Sequence, residues 1–182
     1  MKQAIGLVEV KNITKGILVA DAMLKSGNVT LTMATPLCPG KYIILVTGDV
    51  GAVESSVQTG KNVGQDAIVD DFILASPHDS LCQAIAGNND IKEIRALGII
   101  ETYSVASGII AGDAAVKAAA VQLIEIRLAR GMGGKALVTL TGDVGAVNAA
   151  IKAGSAAVEE SGFLIDQVVI SAPQKGLHEI LL

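Results

Sequence analysis

The sequence predicts an α+β protein built from two copies of one domain. Residues 5–9, IGLVE, return as residues 97–101, LGIIE, which lie 92 positions later. Residues 48–53, GDVGAV, return unchanged as residues 142–147, which lie 94 positions later. Motifs that recur in the same order at nearly the same spacing indicate a duplicated domain. Segments of period two alternate with segments of helical period in each copy, which predicts helices packed on a sheet.

The two copies are predicted to span residues 1–87 and 94–182, with a linker at residues 88–93. A chain of 182 residues is long enough for two small domains of about 90 residues each. The cluster GNND at residues 87–90 is typical of a turn between two periodic segments. Domains this small bury a limited fraction of their surface, so we expect them to pack against each other and against partners.

The first half of each copy is predicted to be a strand, a helix and a second strand. Residues 4–10 form a short apolar run rich in β-formers, and residues 16–25 carry apolar side chains at helical spacing. Residues 29–33, VTLTM, alternate with period two, as in a half-buried strand. Pro36 and Pro39 are then expected to interrupt the chain and begin a loop.

The second half of each copy is predicted to be a strand, a helix and a closing strand. Residues 42–46, YIILV, are typical of a buried strand. We expect the carboxylates of Asp49 and Asp143 to cap the next helix by accepting hydrogen bonds from its first turn. Residues 67–74 and 164–170 are the candidates for the closing strands, and a short terminal helix is expected after them.

Composition narrows the range of functions. The chain is 51% apolar but only 2% aromatic, which favours tight helix-on-sheet layers and subunit contacts over a cavity walled by aromatics. Its net charge is −4 and it has no cluster of Lys or Arg, which argues against nucleic acid as a partner. The longest uncharged run, residues 26–40, is shorter than the roughly 18 apolar residues of a membrane helix, so no membrane contact is expected.

The reactive residues are few. The chain has two histidines, which argues against a Ser-His-Asp triad and against a zinc peptidase site, because both need histidine. Residues 131–135, GMGGK, lack the spacing of a phosphate-binding loop. The two cysteines, Cys38 and Cys82, form no CxxC pair, which favours a reducing cytoplasm over a disulfide framework. Cys82 lies in a short amphipathic turn, where we expect it to be a small packing residue.

Three segments resemble the domain of the bacterial microcompartment (BMC) shell proteins. They are the strand at residues 4–9, AIGLVE, the helix stretch at 20–29, ADAMLKSGNV, and the turn at 48–53, GDVGAV. Both copies match over nearly the whole chain. Two such domains in one chain resemble the tandem-domain trimer class, and CPGK at residues 38–41 is similar to the PduT type within it. The resemblance implies two ferredoxin-like α/β sandwiches and a trimer that forms a flat pseudohexamer.

The resemblance also implies a non-catalytic tile in the microcompartment shell, within the cytoplasm. The implied partners are two further copies of the chain, other microcompartment shell proteins and an encapsulated redox enzyme. In this family the pore loop follows the second strand of the domain. The residues thereby placed around the central opening are Leu37, Cys38, Pro39 and Gly40 in the first copy and Met132, Gly133 and Gly134 in the second.

The loop cysteine carries the metal hypothesis that follows from this resemblance. Only the first copy has one, so threefold geometry would bring three Cys38 thiols together at the axis. The resemblance implies that they hold a [4Fe–4S] cluster, for electron transfer across the shell or cluster delivery to an enzyme inside. Because such clusters usually take four thiolates, the fourth iron would need another ligand. Two alternatives stay open: a metal-free pore that conducts small polar metabolites, and zinc bound by three thiolates.

Lys25 and Lys117 occupy matching positions at the ends of the first helix of each copy. A lysine there is favourable near the negative end of the helix dipole. The resemblance implies a second role, contact with the neighbouring tile. Residues 75–78, ASPH, and 171–174, SAPQ, lack the arginine that many family members carry after the last strand, so we expect different edge contacts.

A function from another class, a trimeric cytosolic ligand-binding regulator, is the remaining alternative. Small α+β trimers often bind ligands in the clefts between their subunits. Two observations argue against this regulator. The two copies are closely similar, and the sequence shows no convergent set of acid–base or phosphate-binding residues.

Overall fold

A computed structural model describes residues 3–129 and 131–177 of the chain. These residues form two compact units. The first unit comprises the chain up to Pro77 together with Ala129–Gly134, and the second comprises His78–Leu128 with the chain from Lys135 onward. No helix among the described residues is both long and apolar enough to cross a bilayer.

The first copy has the order of elements that the sequence predicts. Its elements are β1 (Ala4–Val10), α1 (Ile13–Ser26), β2 (Val29–Leu37), β3 (Lys41–Gly48), α2 (Val50–Gly64) and β4 (Ile68–Leu74). The four strands form an antiparallel sheet in the order β2-β3-β1-β4. A β-α-β-β-α-β chain with this strand order is the ferredoxin-like sandwich. The predicted fold is therefore confirmed for this copy.

The second copy repeats this topology. Its elements are β5 (Ala96–Thr102), α4 (Val105–Ala118), β6 (Val121–Leu128), β7 (Ala136–Gly142), α5 (Val144–Glu159) and β8 (Leu164–Ile170), preceded by the short helix α3 (Leu81–Ala86). Its sheet has the order β6-β7-β5-β8. Helix α3, which the sequence analysis assigned to the first copy, lies in the second unit and packs against β6.

Each first strand carries a glycine because the second helix of its copy crosses it closely. A Cβ atom built on Gly6 would lie 2.6 Å from side-chain atoms of Val53 and Val57 in α2. A Cβ atom on Gly98 would lie 2.8 Å from side-chain atoms of Ile151 in α5. Since real Cβ atoms do not approach other atoms so closely, this helix-on-sheet contact explains the glycine of the repeated strand motif.

Two local predictions are wrong. Pro36 was expected to end the strand but lies inside β2, because β2 is an edge strand and the missing N–H of proline is tolerated there. Asp49 and Asp143 do precede α2 and α5, but neither carboxylate accepts a capping hydrogen bond. Asp143 instead forms an ion pair with Arg95.

The face of each sheet away from its helices carries an ion pair at matching positions of the repeat. Lys41 Nζ lies 2.8 Å from Glu9 Oε1, and the Glu9 side chain is fully buried. Lys135 Nζ lies 2.9 Å from Glu101 Oε1, and both of these side chains are partly exposed. The hydrogen bond and charge of the Glu101 carboxylate raise the pKa of Lys135 above its usual value, so this lysine remains a cation. The repeat therefore contains the same type of ion pair twice. It is largely buried in the first copy and partly exposed in the second.

The two forms of this pair predict different stabilities on substitution. We expect Lys41→Met to lower the free energy of unfolding by about 3 kcal/mol or more, because it leaves a buried carboxylate without its ammonium partner. Lys135→Met is the matched control, and we expect it to lower the free energy of unfolding much less, because its ion pair is partly exposed to solvent. Urea unfolding at one fixed protein concentration measures both. Equal losses would contradict the assignment of Glu9–Lys41 as the buried pair.

Candidate functional site

The predicted pore loop of the first copy is the short connection between β2 and β3. Leu37 ends β2 with a buried side chain, while Cys38 and Pro39 are exposed. The Cys38–Pro39 peptide bond is cis. Gly40 has a φ of 112°, which favours glycine, and its N–H donates to the Leu37 carbonyl oxygen at 2.8 Å. The turn therefore projects Cys38 from the end of the sheet.

The predicted pore loop of the second copy is part of the first compact unit. Residues 129–134 lie in that unit, although Arg130 is outside the described residues. Met132 is half-buried, Gly133 is exposed and Gly134 is buried. Gly133 and Gly134 have φ angles of 63° and 90°, in the region that side-chain-bearing residues disfavour.

Gly134 lies against the cysteine loop. A Cβ atom built on Gly134 would be 3.2 Å from the Cys38 carbonyl oxygen and 3.1 Å from Lys41 Cε. Lys41 Nζ donates a hydrogen bond to the Gly134 carbonyl oxygen at 3.3 Å. The first unit thus brings together residues from both predicted pore loops. Glycine is favoured at position 134, because a Cβ atom would crowd the Cys38 carbonyl oxygen and a φ of 90° strains residues that bear a side chain.

Lys41 is the residue of this site to which the sequence analysis gave no role. Its ammonium group contacts both the buried Glu9 carboxylate and the Gly134 carbonyl oxygen. A signal was present in the sequence, since the Gly-Lys dipeptide at the start of β3 recurs before β7, and the strand glutamate recurs as Glu101. A basic residue and an acidic residue that repeat together are candidates for a conserved ion pair of the repeat.

The donor chemistry of the loop fits a metal only when several chains contribute. Cys38 is a free, exposed cysteine, and thiolate is the ligand type that suits iron–sulfur clusters and zinc. Among residues 3–129 and 131–177, no group of three or more His, Cys, Asp or Glu side chains is placed to hold a metal ion. One chain therefore offers a single thiol in these two loops, and a cluster requires thiols from further chains.

The packing role predicted for Cys82 is wrong within a single chain. Cys82 is exposed on α3, whose buried residues are Leu81 and Ala84. Residues three apart lie on the same face of a helix, so the face that carries Leu81 and Ala84 turns Cys82 away from the packed surface.

The two predicted edge lysines form the same type of ion pair, although their aspartate partners differ in burial. Lys25 and Lys117 lie in the last turns of α1 and α4, where each forms an ion pair with the aspartate four residues earlier. The Lys25–Asp21 distance is 2.6 Å and both side chains are exposed. Asp113, the partner of Lys117, is nearly buried and also accepts a hydrogen bond from the His78 backbone N–H at 2.7 Å. Contact of these lysines with a neighbouring tile stays a prediction.

Comparison with known proteins identifies both domains. The family model described as "BMC domain" matches residues 4–77 and 96–173. Over 177 residues the chain is 42% identical to the bacterial microcompartment shell protein PduT of Citrobacter freundii, covering 97% of this chain and 96% of that protein. Over 81 residues, 42% of this chain, it is 38% identical to the shell protein PduA of Citrobacter freundii, covering 85% of that relative.

Two solved structures share the architecture. A microcompartment protein from Desulfitobacterium hafniense DCB superposes with a TM-score of 0.87 at 49% identity, covering 98% of this chain and 99% of that chain. The fused permuted hexameric shell protein from the RMM microcompartment has a TM-score of 0.66 at 24% identity, covering 87% and 84%, a likeness of fold alone. With two matched domains and a relative that is similar over its whole length, the chain belongs to the BMC-domain family of bacterial microcompartment shell proteins, in its tandem-domain form.

Proposed function

We propose that the chain is a structural, non-catalytic tile in the shell of a bacterial microcompartment, within the cytoplasm. The observation that carries this proposal is the pair of BMC domains together with whole-length similarity to the shell protein PduT. In the proposed assembly, three chains form a pseudohexameric trimer with their β2–β3 and β6–β7 loops at a central pore. The trimer assembles with other microcompartment shell proteins, and an encapsulated redox enzyme lies on its inner side.

We further propose that Cys38 from each of three chains holds a [4Fe–4S] cluster at this pore. The exposure of Cys38, its position on a short turn and the suitability of thiolate as an iron ligand support the proposal. When bound, such a cluster would transfer single electrons across the shell or serve as cargo for an enclosed enzyme. Buried Leu37 anchors the loop at the end of β2. Lys41 holds the second loop beside it through the Gly134 carbonyl oxygen.

Cysteine substitution tests the cluster. We expect the anaerobically purified protein to contain iron and sulfide and to absorb visible light, and we expect Cys38→Ser to lose all three properties while remaining a trimer. Cys82→Ser is the matched control, because it removes the other exposed cysteine, which lies outside the loop. Metal and sulfide analysis, with size-exclusion chromatography, measures the outcome.

Three results would contradict the cluster. Iron retained by Cys38→Ser would exclude Cys38 as the ligand. A trimeric wild-type protein that contains neither iron nor zinc when purified without oxygen would favour the metal-free pore for small polar metabolites and leave the tile proposal intact. Zinc in place of iron would favour the tetrahedral zinc alternative.

Substitution of the edge lysines tests assembly. We expect Lys25→Ala combined with Lys117→Ala to form trimers that no longer assemble into extended sheets, because each change removes an exposed cation at the end of a helix. Lys92→Ala is the control, since Lys92 is an exposed lysine outside both helices. Electron microscopy of concentrated protein measures sheet formation. Unchanged sheets would contradict the edge role, and isolated trimers of the wild type would favour the ligand-binding regulator.

A further inference from the structure

An open cavity of about 580 Å³ lies in a groove between α5 and β8 of the second copy. Cavities of this size are typical of small-molecule sites. Residues three, four or seven apart share one face of a helix, so the α5 residues that line the cavity form a row along it. We call this the α5–β8 groove and define it by four of its lining residues, Lys152, Ser155 and Glu159 of α5 and Gln167 of β8.

An ion pair occupies the matching position of the first copy. Lys61 Nζ lies 3.0 Å from the Asp71 carboxylate. Lys61 is the counterpart of Ser155 in the repeated helix, and Asp71 has the register of Gln167 on the first strand of its sheet. The exchange of lysine for serine shortens the side chain at the centre of the groove, and the exchange of aspartate for glutamine removes the other charge. The second copy therefore has an open space there, with neutral polar walls.

The two ends of the groove differ between the copies in the opposite way. Lys152 and Glu159 carry opposite charges, whereas their counterparts Gln58 and Gln65 are neutral. Both charged side chains are exposed, and neither forms an ion pair within residues 3–129 and 131–177. They are seven positions apart on α5, which separates them by about 10.5 Å along the helix axis. The groove thus has a cation at one end, an anion at the other and a neutral centre.

The centre of the groove contains a polar group that the chain does not satisfy. Ser155 is 4% exposed, and its hydroxyl group has no hydrogen-bond partner in the part of the chain that the structure describes. Leaving a hydroxyl group buried and unpaired is unfavourable. Ser155 and the amide of Gln167 can each both donate and accept a hydrogen bond. The centre therefore suits a ligand that itself carries donors and acceptors.

We propose that the α5–β8 groove binds a short peptide with free termini. Lys152 pairs with the peptide carboxylate, Glu159 pairs with the peptide ammonium group, and Ser155 and Gln167 hydrogen-bond to the peptide amides between them. An extended chain covers at most about 3.3–3.6 Å per residue, so a peptide of about three residues matches the separation of the two charges. This site uses none of the pore-loop residues and does not depend on the proposed cluster.

Modified tripeptides test the ligand class. We expect trialanine to bind the full-length protein at one site per chain, as measured by isothermal titration calorimetry. N-acetyl-trialanine and trialanine amide each lack one terminal charge but keep the amides. We expect each of them to bind about tenfold more weakly or worse, because each loses a charge-assisted hydrogen bond.

Single substitutions assign the two ends of the groove. Lys152→Gln and Glu159→Gln install the residues of the first copy at exposed positions, so we expect both variants to fold. Lys152→Gln should abolish the preference for trialanine over its C-terminal amide and keep the preference over the acetylated peptide. Glu159→Gln should have the converse effect. Such a pattern requires direct pairing, because a general loss of structure would weaken all three peptides alike.

A double substitution closes the groove. Ser155→Lys with Gln167→Asp installs the ion pair that the first copy already accommodates, and we expect it to abolish trialanine binding. Lys61→Ser with Asp71→Gln is the matched control, and we expect it to keep one site per chain, because Gln58 and Gln65 supply no charges. Circular dichroism checks that both variants keep the wild-type helix content.

Four results would overturn this inference and leave the tile proposal unaffected. These are no saturable binding of trialanine to the wild type, equal affinities for the three peptides, the same peptide preferences in Lys152→Gln and Glu159→Gln, and undiminished binding by the folded variant with the closed groove.

Discussion

The candidate pore depends on one buried ion pair. Glu9 lies in the central strand β1, and Lys41 is the first residue of β3, directly after the cysteine loop. The Lys41 ammonium group reaches both the Glu9 carboxylate and the Gly134 carbonyl oxygen. It therefore joins three elements: the sheet of the first copy, the turn that carries Cys38 and the loop of the second copy. Burying such a pair is costly unless further hydrogen bonds satisfy it, and the Gly134 carbonyl oxygen is one such partner.

Duplication allows one fold to present two surfaces. The two copies share strand order, the order of helices and strands, and the glycine at which the second helix crosses the first strand. The two copies differ in the exposure of side chains that face away from this shared core. Ile17 in α1 is exposed whereas its counterpart Ile109 in α4 is buried, and Val168 in β8 is exposed whereas its counterpart Phe72 in β4 is buried. Selection on a tandem chain can therefore change an exposed residue in one copy while the core motif of both copies is retained.

The sequence predicted the parts of the fold that local pattern determines. The closing strand Leu164–Ile170 has the predicted bounds, because a β-branched run between turn signals specifies a strand by itself. Pro36 was placed in a loop because the tolerance of an edge strand for proline depends on strand order, which is a tertiary property. The contact of Lys41 with Gly134 was missed for the same reason. These residues are 93 positions apart, and no local period connects them.

Loss of sixfold symmetry gives the proposed pore its chemistry. A ring of six identical loops would present six equivalent thiols, whereas an iron–sulfur cube takes one thiolate at each of its four corners. In the proposed trimer of tandem chains, Cys38 would occur in alternate loops, so three thiols would face the axis. The intervening loops carry Met132, Gly133 and Gly134 instead. Gly134 approaches the Cys38 backbone from within the chain and leaves the cysteine exposed. In the proposed trimer, one loop therefore supplies the ligand and the other positions it.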